Sequence, residues 1–157
     1  MTIKIYSHHL RNIITHAEST YPEECCGLML GNIDEDTKTV VEVWATKNSW
    51  NDEAYETFQG IAGSDKLGAS KRDRYAIAPE DMLKAQREAR DRQLQIVGIY
   101  HSHPDHAAIP SEFDRACAWP VYSYIIVSVQ QGKVDAHQSW ILDEAHQFHP
   151  EEIENLS

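Results

Sequence analysis

A run of apolar residues near the middle of the chain constrains the fold more than any other segment. From Gln95 to His101 the sequence reads QIVGIYH, with apolar side chains at both odd and even positions. Successive residues of a strand point to opposite faces of a sheet, so a strand with this sequence is apolar on both faces. Such strands lie at the centre of a sheet that is covered on both sides. The sequence therefore predicts an α/β fold with a buried central strand.

The segments on either side of this strand have the periods of alternating helices and strands. Apolar residues at helical spacing predict a helix from Ser7 to Thr20. Acidic residues in the first turn and basic residues in the last predict another from Glu80 to Arg92. Two hairpins are predicted from the strands Cys25 to Leu30, Thr39 to Thr46, Ser123 to Val129 and Ala136 to Leu142. We expect an α/β fold with a mixed β-sheet flanked by helices.

The length of the chain leaves room for a single domain. A chain of 157 residues has the usual size of a domain and buries about 68–70% of its unfolded surface. We expect residues 1–150 to form this domain and the acidic residues 151–157 to fray as a tail. The segment from Asn48 to Arg74 contains several glycines and has no period. It is either a loop that clamps substrate or a mobile insertion.

The charge and the apolar segments exclude two classes of partner. The chain has 14 basic and 25 acidic side chains, a net charge of −11, so DNA or RNA is repelled on average. Its longest apolar stretches are far shorter than the ~20 residues of a membrane-spanning helix, and the N-terminus does not resemble a secretory signal. Three cysteines without a CxxC pair fit no disulfide framework. We expect a cytoplasmic protein that binds neither nucleic acid nor membrane, with its oligomeric state left open.

Residues with metal-binding chemistry follow the buried strand, in the segment HSHPDHAAIPSEFD. His101 and His103 are two apart on a strand, so both imidazoles project to the same side and face one point. On a short helix predicted from Ser111 to Trp119, Asp114 lies one turn after Ser111 and can supply a third ligand. Three protein ligands and an open fourth position are typical of a catalytic zinc site.

Each part of this pattern also has a simpler interpretation. Ser111-x-x-Asp114 before an apolar run is a capping box, in which both side chains bind the backbone at the start of a helix. A His-x-His pair alone is more often two partly exposed histidines. The order and spacing of all these residues at the carboxyl end of a strand favour the metal site. The signatures of the His-Glu-x-x-His proteases and of the zinc deaminases are both missing.

These residues resemble the signature of a known family. The JAMM motif of the MPN-domain metallopeptidases, HxHx7SxxD in its His-Ser-His-Pro form, is matched by His101, His103, Ser111 and Asp114. The family's early Glu-x-Cys-Gly-x-Leu-x-Gly segment is matched by Glu24, Cys26, Gly27 and Gly31, with Leu28 or Leu30 at its apolar position. The resemblance covers nearly the whole chain and extends to the small stand-alone bacterial members. It implies a cytidine deaminase-like arrangement of the sheet and the helices.

The resemblance implies a role for each of five residues. Zinc is the implied cofactor, with His101, His103 and Asp114 as its ligands, and it would lower the pKa of a bound water. Glu24 is implied as the catalytic acid and base that takes a proton from this water and passes it to the leaving amine. Ser111 is implied as the donor of a hydrogen bond to the oxyanion. Without the resemblance, Glu24 would be interpreted as a solvated acid.

The resemblance also implies a protein substrate. JAMM enzymes act after the extended C-terminal tail of ubiquitin-like proteins, and the small bacterial members resemble enzymes that trim sulfur-carrier proteins to a terminal Gly-Gly. An edge strand and a loop could hold such a tail by backbone pairing. We expect zinc-dependent hydrolysis of a peptide or isopeptide bond after the Gly-Gly of such a partner. Two alternatives stay open: an MPN module that binds partners without catalysis, and a zinc hydrolase of small molecules such as a deaminase.

Overall fold

Strands contribute more residues than helices to the computed structural model, which describes residues 1–51 and 70–157. The strands are β1 (Thr2–Tyr6), β2 (Cys26–Asp34), β3 (Thr37–Thr46), β4 (Gln95–Pro104), β5 (Ser123–Gln130), β6 (Lys133–Leu142) and β7 (Phe148–Leu156). The helices are α1 (Ser7–Thr20), α2 (Pro79–Asp91) and α3 (Glu112–Cys117). Every helix and strand predicted above is present, with its ends shifted by a few residues at most. The strands β1 and β7 were not predicted.

The seven strands form one mixed sheet in the order β1-β3-β2-β4-β5-β6-β7. The pairs β1–β3, β1–β7 and β4–β5 are parallel and the other neighbours are antiparallel. The mixed sheet is therefore confirmed. Because β7 also pairs with β1, the sheet closes into a barrel, which was not predicted. The expectation of an edge strand for the substrate tail is wrong for these seven strands, since each one has two neighbours.

The end of the chain belongs to the sheet. Residues Glu152 to Leu156 pair in parallel with β1, and Phe148 to Glu151 pair with β6. The expectation that residues 151–157 fray is therefore wrong up to Leu156. Only Glu151 of this strand is buried, so the strand lacks the alternation of apolar and polar residues by which a half-buried strand is recognised. Backbone hydrogen bonds to two neighbours hold it instead.

Helices α1 and α2 pack on opposite faces of the sheet. Ile13 of α1 packs in one buried cluster with Met29, and Ala85 of α2 packs in a second cluster with the adjacent residue, Leu28. Between the two helices, β4 is buried at every position from Ile96 to Pro104. The prediction of a central strand covered on both faces is therefore confirmed, and the carboxyl end of this strand is a rigid place for a site.

The register of β2 places the residues before it beside the carboxyl end of β4. Cys26 pairs with His101, so Glu24 lies near the two histidines. One step further, Gly27 pairs with Tyr100, and a Cβ atom at this position would overlap the Tyr100 ring. Glycine is therefore required at position 27, because the Tyr100 ring fills the space that a side chain there would need.

Part of the expected loop from Asn48 to Arg74, residues 52–69, lies outside the described residues. Its proposed contact with substrate therefore stays a prediction. Within residues 1–51 and 70–157, no helix has the length and apolar character needed to cross a membrane. The described ends of the loop, residues 48–51 and 70–74, reach the region that contains the histidines of β4.

Candidate metal centre

Three side chains converge at the carboxyl end of β4. The Nε2 atoms of His101 and His103 lie 3.1 Å apart, and Oδ2 of Asp114 lies 3.3 Å from the first and 3.0 Å from the second. At most 10% of each side chain is exposed. Ligand atoms about 2.0–2.2 Å from a tetrahedral zinc lie about 3.3 Å from one another. The three side chains therefore form a group that could hold a metal ion of this size.

The hydrogen bond of His103 leaves its Nε2 lone pair directed at this group. Its Nδ1 lies 2.8 Å from the carbonyl oxygen of Ala107. A carbonyl only accepts, so Nδ1 carries the hydrogen and Nε2 of the neutral ring is free to bind a metal. The His101 ring stacks on Tyr75, with 4.5 Å between the ring centres and 23° between the planes. Both rings are thus held in place by contacts outside the metal group.

The capping box and the candidate ligand group share one atom, Oδ2 of Asp114. Oγ of Ser111 accepts a hydrogen bond from the backbone N–H of Asp114 at 3.0 Å, and Oδ2 of Asp114 accepts one from the N–H of Ser111 at 2.9 Å. A carboxylate has about four acceptor positions, so it can cap a helix and face the two imidazoles together. The two interpretations of this motif are therefore compatible, because the cap orients the carboxylate.

The pKa shifts of Asp114 and His101 match the charges of metal ligands. Burial alone would raise the pKa of Asp114, but His101 and His103 outweigh it and hold that pKa well below its ordinary value. Burial lowers the pKa of His101 against the opposing attraction of Asp114. Burial also disfavours the charged form of His103, yet the hydrogen bond and charge of Asp114 raise its pKa overall. A carboxylate beside a neutral imidazole suits a metal, because ligands must bind in their deprotonated forms.

Glu24 faces the same region from the residue pair before β2. A cleft of about 310 Å3 is lined by Glu24 together with His103, Ser111, Arg74, His106 and Ile109. The Glu24 residue is only 5% exposed. Burial, and after it the negative charge of Asp114, raises the pKa of Glu24 well above its ordinary value. The carboxyl group is therefore a stronger base than a solvated glutamate, and it shares a cleft with the metal group.

Ser102 ties the peptide after Glu24 to the strand that carries the histidines. Its Oγ accepts a hydrogen bond from the N–H of Cys25 at 2.7 Å, and its own N–H donates to the carbonyl of Cys25 at 3.2 Å. The Ser102 side chain is fully buried. The middle residue of His-Ser-His therefore has a structural reason, which the sequence motif alone did not reveal.

Two irregular segments at the ends of the expected loop pack beside the cleft, through contacts that the sequence did not predict. We call residues 48–51 and 70–76 the wall segments; neither contains a helix or strand. The guanidinium of Arg74 lies 4.3 Å from the centre of the Phe113 ring, on which the Trp50 ring packs edge to face at 5.8 Å. Tyr75 stacks on His101 as described above. No periodicity or motif marked these residues, because they lie in the aperiodic part of the sequence.

Asp105, His106 and two cysteines lie close to the motif residues and have different surroundings. His106 lines the cleft, whereas the carboxylate of Asp105 accepts hydrogen bonds from Tyr21 Oη and Gln131 N–H. Burial raises the pKa of Cys26 to about 12 and that of Cys117 to about 11, so neither thiol is an activated nucleophile.

Comparison with known proteins gives four consistent matches. The family described as prokaryotic homologs of the JAB domain matches residues 7–153. A desampylase from Haloferax volcanii is 30% identical over 138 residues, covering 85% of this chain and 84% of that protein. The Lys-63-specific deubiquitinase BRCC36 of Xenopus tropicalis is 33% identical over 107 residues, covering 64% of this chain and 34% of that protein. A solved structure from Desulfitobacterium hafniense, 25% identical, superposes with a TM-score of 0.76 over 99% of this chain and 93% of that one.

Proposed function

This chain belongs to the family of prokaryotic homologs of the JAB domain, and we propose that it is a zinc-dependent metallopeptidase of the JAMM type. Its resemblance to the JAMM proteins is confirmed by the family match and by relatives named desampylase and deubiquitinase. The reaction that we propose is hydrolysis of a peptide or isopeptide bond after the C-terminal Gly-Gly of a ubiquitin-like or sulfur-carrier protein. We place this reaction in the cytoplasm.

One observation carries the proposal: three convergent ligand atoms and a buried carboxyl group lie at one cleft. The atoms of His101, His103 and Asp114 are spaced as zinc ligands are, and Glu24 lines the cleft beside them. A structural zinc site uses four protein ligands, whereas a catalytic site uses three and leaves one position for water or substrate. The donor set therefore favours an enzyme over an MPN module that only binds partners.

The proposed chemistry divides between the metal and the chain. Zinc at this site supplies an activated water nucleophile and polarises the scissile carbonyl. Glu24 accepts the proton of that water and delivers it to the leaving amine. Its raised pKa suits both steps, because a group that takes up and releases a proton works best when its pKa lies near the working pH.

Ser111 has one hydrogen left for the substrate. Its Oγ accepts the N–H of Asp114, so the hydroxyl proton is not needed for the helix cap. Ser111 lines the cleft together with Glu24 and His103. We infer that the hydroxyl donates to the oxygen of the attacked carbonyl as negative charge develops there. The same side chain then caps α3 and stabilises the transition state.

The relatives support a protein substrate of the ubiquitin-like class. The names desampylase and Lys-63-specific deubiquitinase both describe removal of such modifiers from conjugates. A sulfur carrier as the particular partner is the finer part of our proposal. Two glycines before the cut fit a buried metal group, because residues without Cβ atoms allow a backbone to approach closely.

The test is cleavage of a carrier protein that has been extended beyond its Gly-Gly. We expect the zinc-loaded protein to release the extension, seen as a loss of intact mass, and both a chelator and Glu24→Gln to block the release. Intact mass after long incubation with several carriers, alongside cleavage of an unrelated peptide, would reject the substrate class. Loss of activity towards every peptide despite bound zinc would favour the non-catalytic module.

A further inference from the structure

Asn48 is a buried side chain that the proposed chemistry does not use. It follows β3 in the first wall segment and is 8% exposed. Its Nδ2 donates to the carbonyls of Glu24 and Arg74, both at 3.0 Å, and its Oδ1 accepts from the N–H groups of Trp50 at 3.0 Å and Ala76 at 3.2 Å. A side-chain amide has two donors and two acceptor positions. All four are used.

These bonds join Glu24 to both wall segments. The N–H of Glu24 donates to the carbonyl of Lys71 at 2.7 Å, so the second wall segment binds the Glu24 peptide on its other side as well. Ser49 N–H donates to the Ala76 carbonyl at 2.8 Å and closes the contact between the two segments. Neither wall segment contains a helix or strand, so these side-chain and backbone bonds take the place of a regular ladder.

The residues between the Asn48 contacts reach the metal group. Asn48 binds the backbone at Arg74 and Ala76, and the intervening Tyr75 stacks on the ligand His101. The guanidinium of Arg74 lies over the Phe113 ring, and Arg74 lines the cleft together with Glu24. One amide thus bonds both to the Glu24 peptide and to the backbone on either side of Tyr75.

We propose that Asn48 is a positioning residue: it holds Glu24 and the Arg74–Ala76 backbone in a fixed relation to the metal group. The proposal rests on the proposed function, in which Glu24 moves the proton. Substitution of residues that orient the groups around a metal typically lowers activity about 10- to 100-fold. None of the four hydrogen bonds of Asn48 goes to a proposed metal ligand, and in our proposal Asn48 does not contact the substrate.

The identity of the side chain matters, because the contacts need both donors and acceptors. In Asn48→Asp the shape is kept and both acceptors remain, but a carboxylate faces the carbonyls of Glu24 and Arg74 and cannot donate to either. A matched control is Asn32→Asp, which adds the same charge at an exposed position of β2. Any effect of charge alone should appear in both variants.

The experiment compares wild type, Asn48→Asp and Asn32→Asp in two measurements. In the zinc-loaded proteins we expect Asn48→Asp to keep its zinc content and its KM within about threefold, while kcat for an extended carrier falls about 10- to 100-fold. In the zinc-free proteins, amide hydrogen exchange at Glu24 and Ala76 should be faster in Asn48→Asp than in wild type. Asn32→Asp should match wild type in both measurements.

The two measurements separate the possible failures. Wild-type kcat in a folded Asn48→Asp variant would overturn the positioning role, and so would a loss of zinc that accounts for the whole effect. If Asn48→Asp does not fold, exchange in wild type decides: Trp50 and Ala76 amides that exchange as fast as exposed amides overturn the proposal. A wild-type protein that cleaves no carrier would contradict the proposed function. The role of Asn48 in catalysis would then be overturned as well, even if the Trp50 and Ala76 amides are protected from exchange.

Discussion

The proposed metal ligands and the wall segments contribute His103 and Arg74 to the same cleft, but they are held in different ways. His101 and His103 lie on a strand that is buried on both faces, and Asp114 lies in the capping box of a helix. The wall segments have no regular structure and are held by the four hydrogen bonds of Asn48. Regular elements place ligands with the precision a metal needs, whereas irregular ones depend on single side chains. Changes at the proposed ligands should therefore abolish metal binding, whereas changes at the wall segments should alter turnover and leave most of the metal affinity.

The largest effect is expected from loss of a ligand. His103→Ala removes one of three donors, so the protein should bind no zinc after dialysis and cleave its substrate no faster than the uncatalysed rate. The exposed histidine of β6 provides the control, since His137→Ala should keep both properties. Metal analysis and intact-mass kinetics measure the two quantities. Zinc and activity retained in His103→Ala would remove this residue from the centre.

A somewhat smaller effect is expected from the base. Glu24→Gln keeps the shape of the side chain but cannot accept a proton, so zinc content should be unchanged while kcat falls about 10²- to 10⁴-fold. The adjacent and exposed Glu23 gives a matched control, and Glu23→Gln should behave as wild type. A Glu24→Gln protein that turns over at the wild-type rate would show that another group moves the proton.

Ser111 is expected to contribute less to turnover and more to the helix. Ser111→Ala should lower kcat about 10²- to 10³-fold through loss of the oxyanion donor, and loss of the cap should reduce the free energy of unfolding by about 1 kcal/mol. Ser111→Asp separates the two effects, because aspartate can accept the N–H of Asp114 but has no proton to donate. Full activity in Ser111→Asp would argue against the donor role.

The stacking of Tyr75 on His101 should have the smallest effect on the metal. Aromatic pairs contribute about 0.5–1.5 kcal/mol beyond their buried area, so Tyr75→Leu should weaken zinc binding by roughly tenfold at most, given that 1.4 kcal/mol corresponds to tenfold. Tyr75→Phe retains the stacked ring and should bind zinc as wild type does. Competition with a chromogenic chelator measures both affinities, and equal weakening by the two variants would contradict a role for stacking.

The raised pKa of Glu24 predicts how the stability of the zinc-free protein depends on pH. Burial raises this pKa above its unfolded value, so the carboxyl group favours folding below the unfolded pKa and disfavours it as the pH rises through the folded one. Glu24→Gln removes this cost. The variant should therefore melt a few degrees above wild type at pH 8, with the difference closing towards pH 4. A difference that does not change with pH would contradict the buried, raised pKa.

The convergence of the three proposed ligands was predictable from the sequence, because much of it follows from local geometry. Two residues apart on a strand, or three apart in a helix, share a face whatever the rest of the fold does, so His101, His103 and Asp114 could be brought together on paper. The same reasoning found the covered central strand. Glu24 was identified only through the family motif, because the residues adjacent to Glu24 in the sequence do not reveal the register of β2 against β4.

The closed barrel and the wall segments depend on long-range contacts that leave little trace in the sequence. The strand β7 exposes most of its side chains and is held by pairing to β1 and β6, so its residues resembled a tail. Asn48 looks like any polar residue of a loop until its four partners are known. Hydrogen bonds of backbone and side-chain amide groups, rather than a period of apolar residues, hold β7 and the wall segments in place.

Zinc content is the most direct measure of the difference between the two groups of residues. Wild type, His103→Ala, Glu24→Gln and Asn48→Asp would be loaded with zinc, dialysed together and analysed for metal per chain. We predict one zinc per chain in wild type, Glu24→Gln and Asn48→Asp, and none in His103→Ala. A wild-type protein that retains no zinc, or a His103→Ala variant that retains as much as wild type, would contradict the metal centre itself.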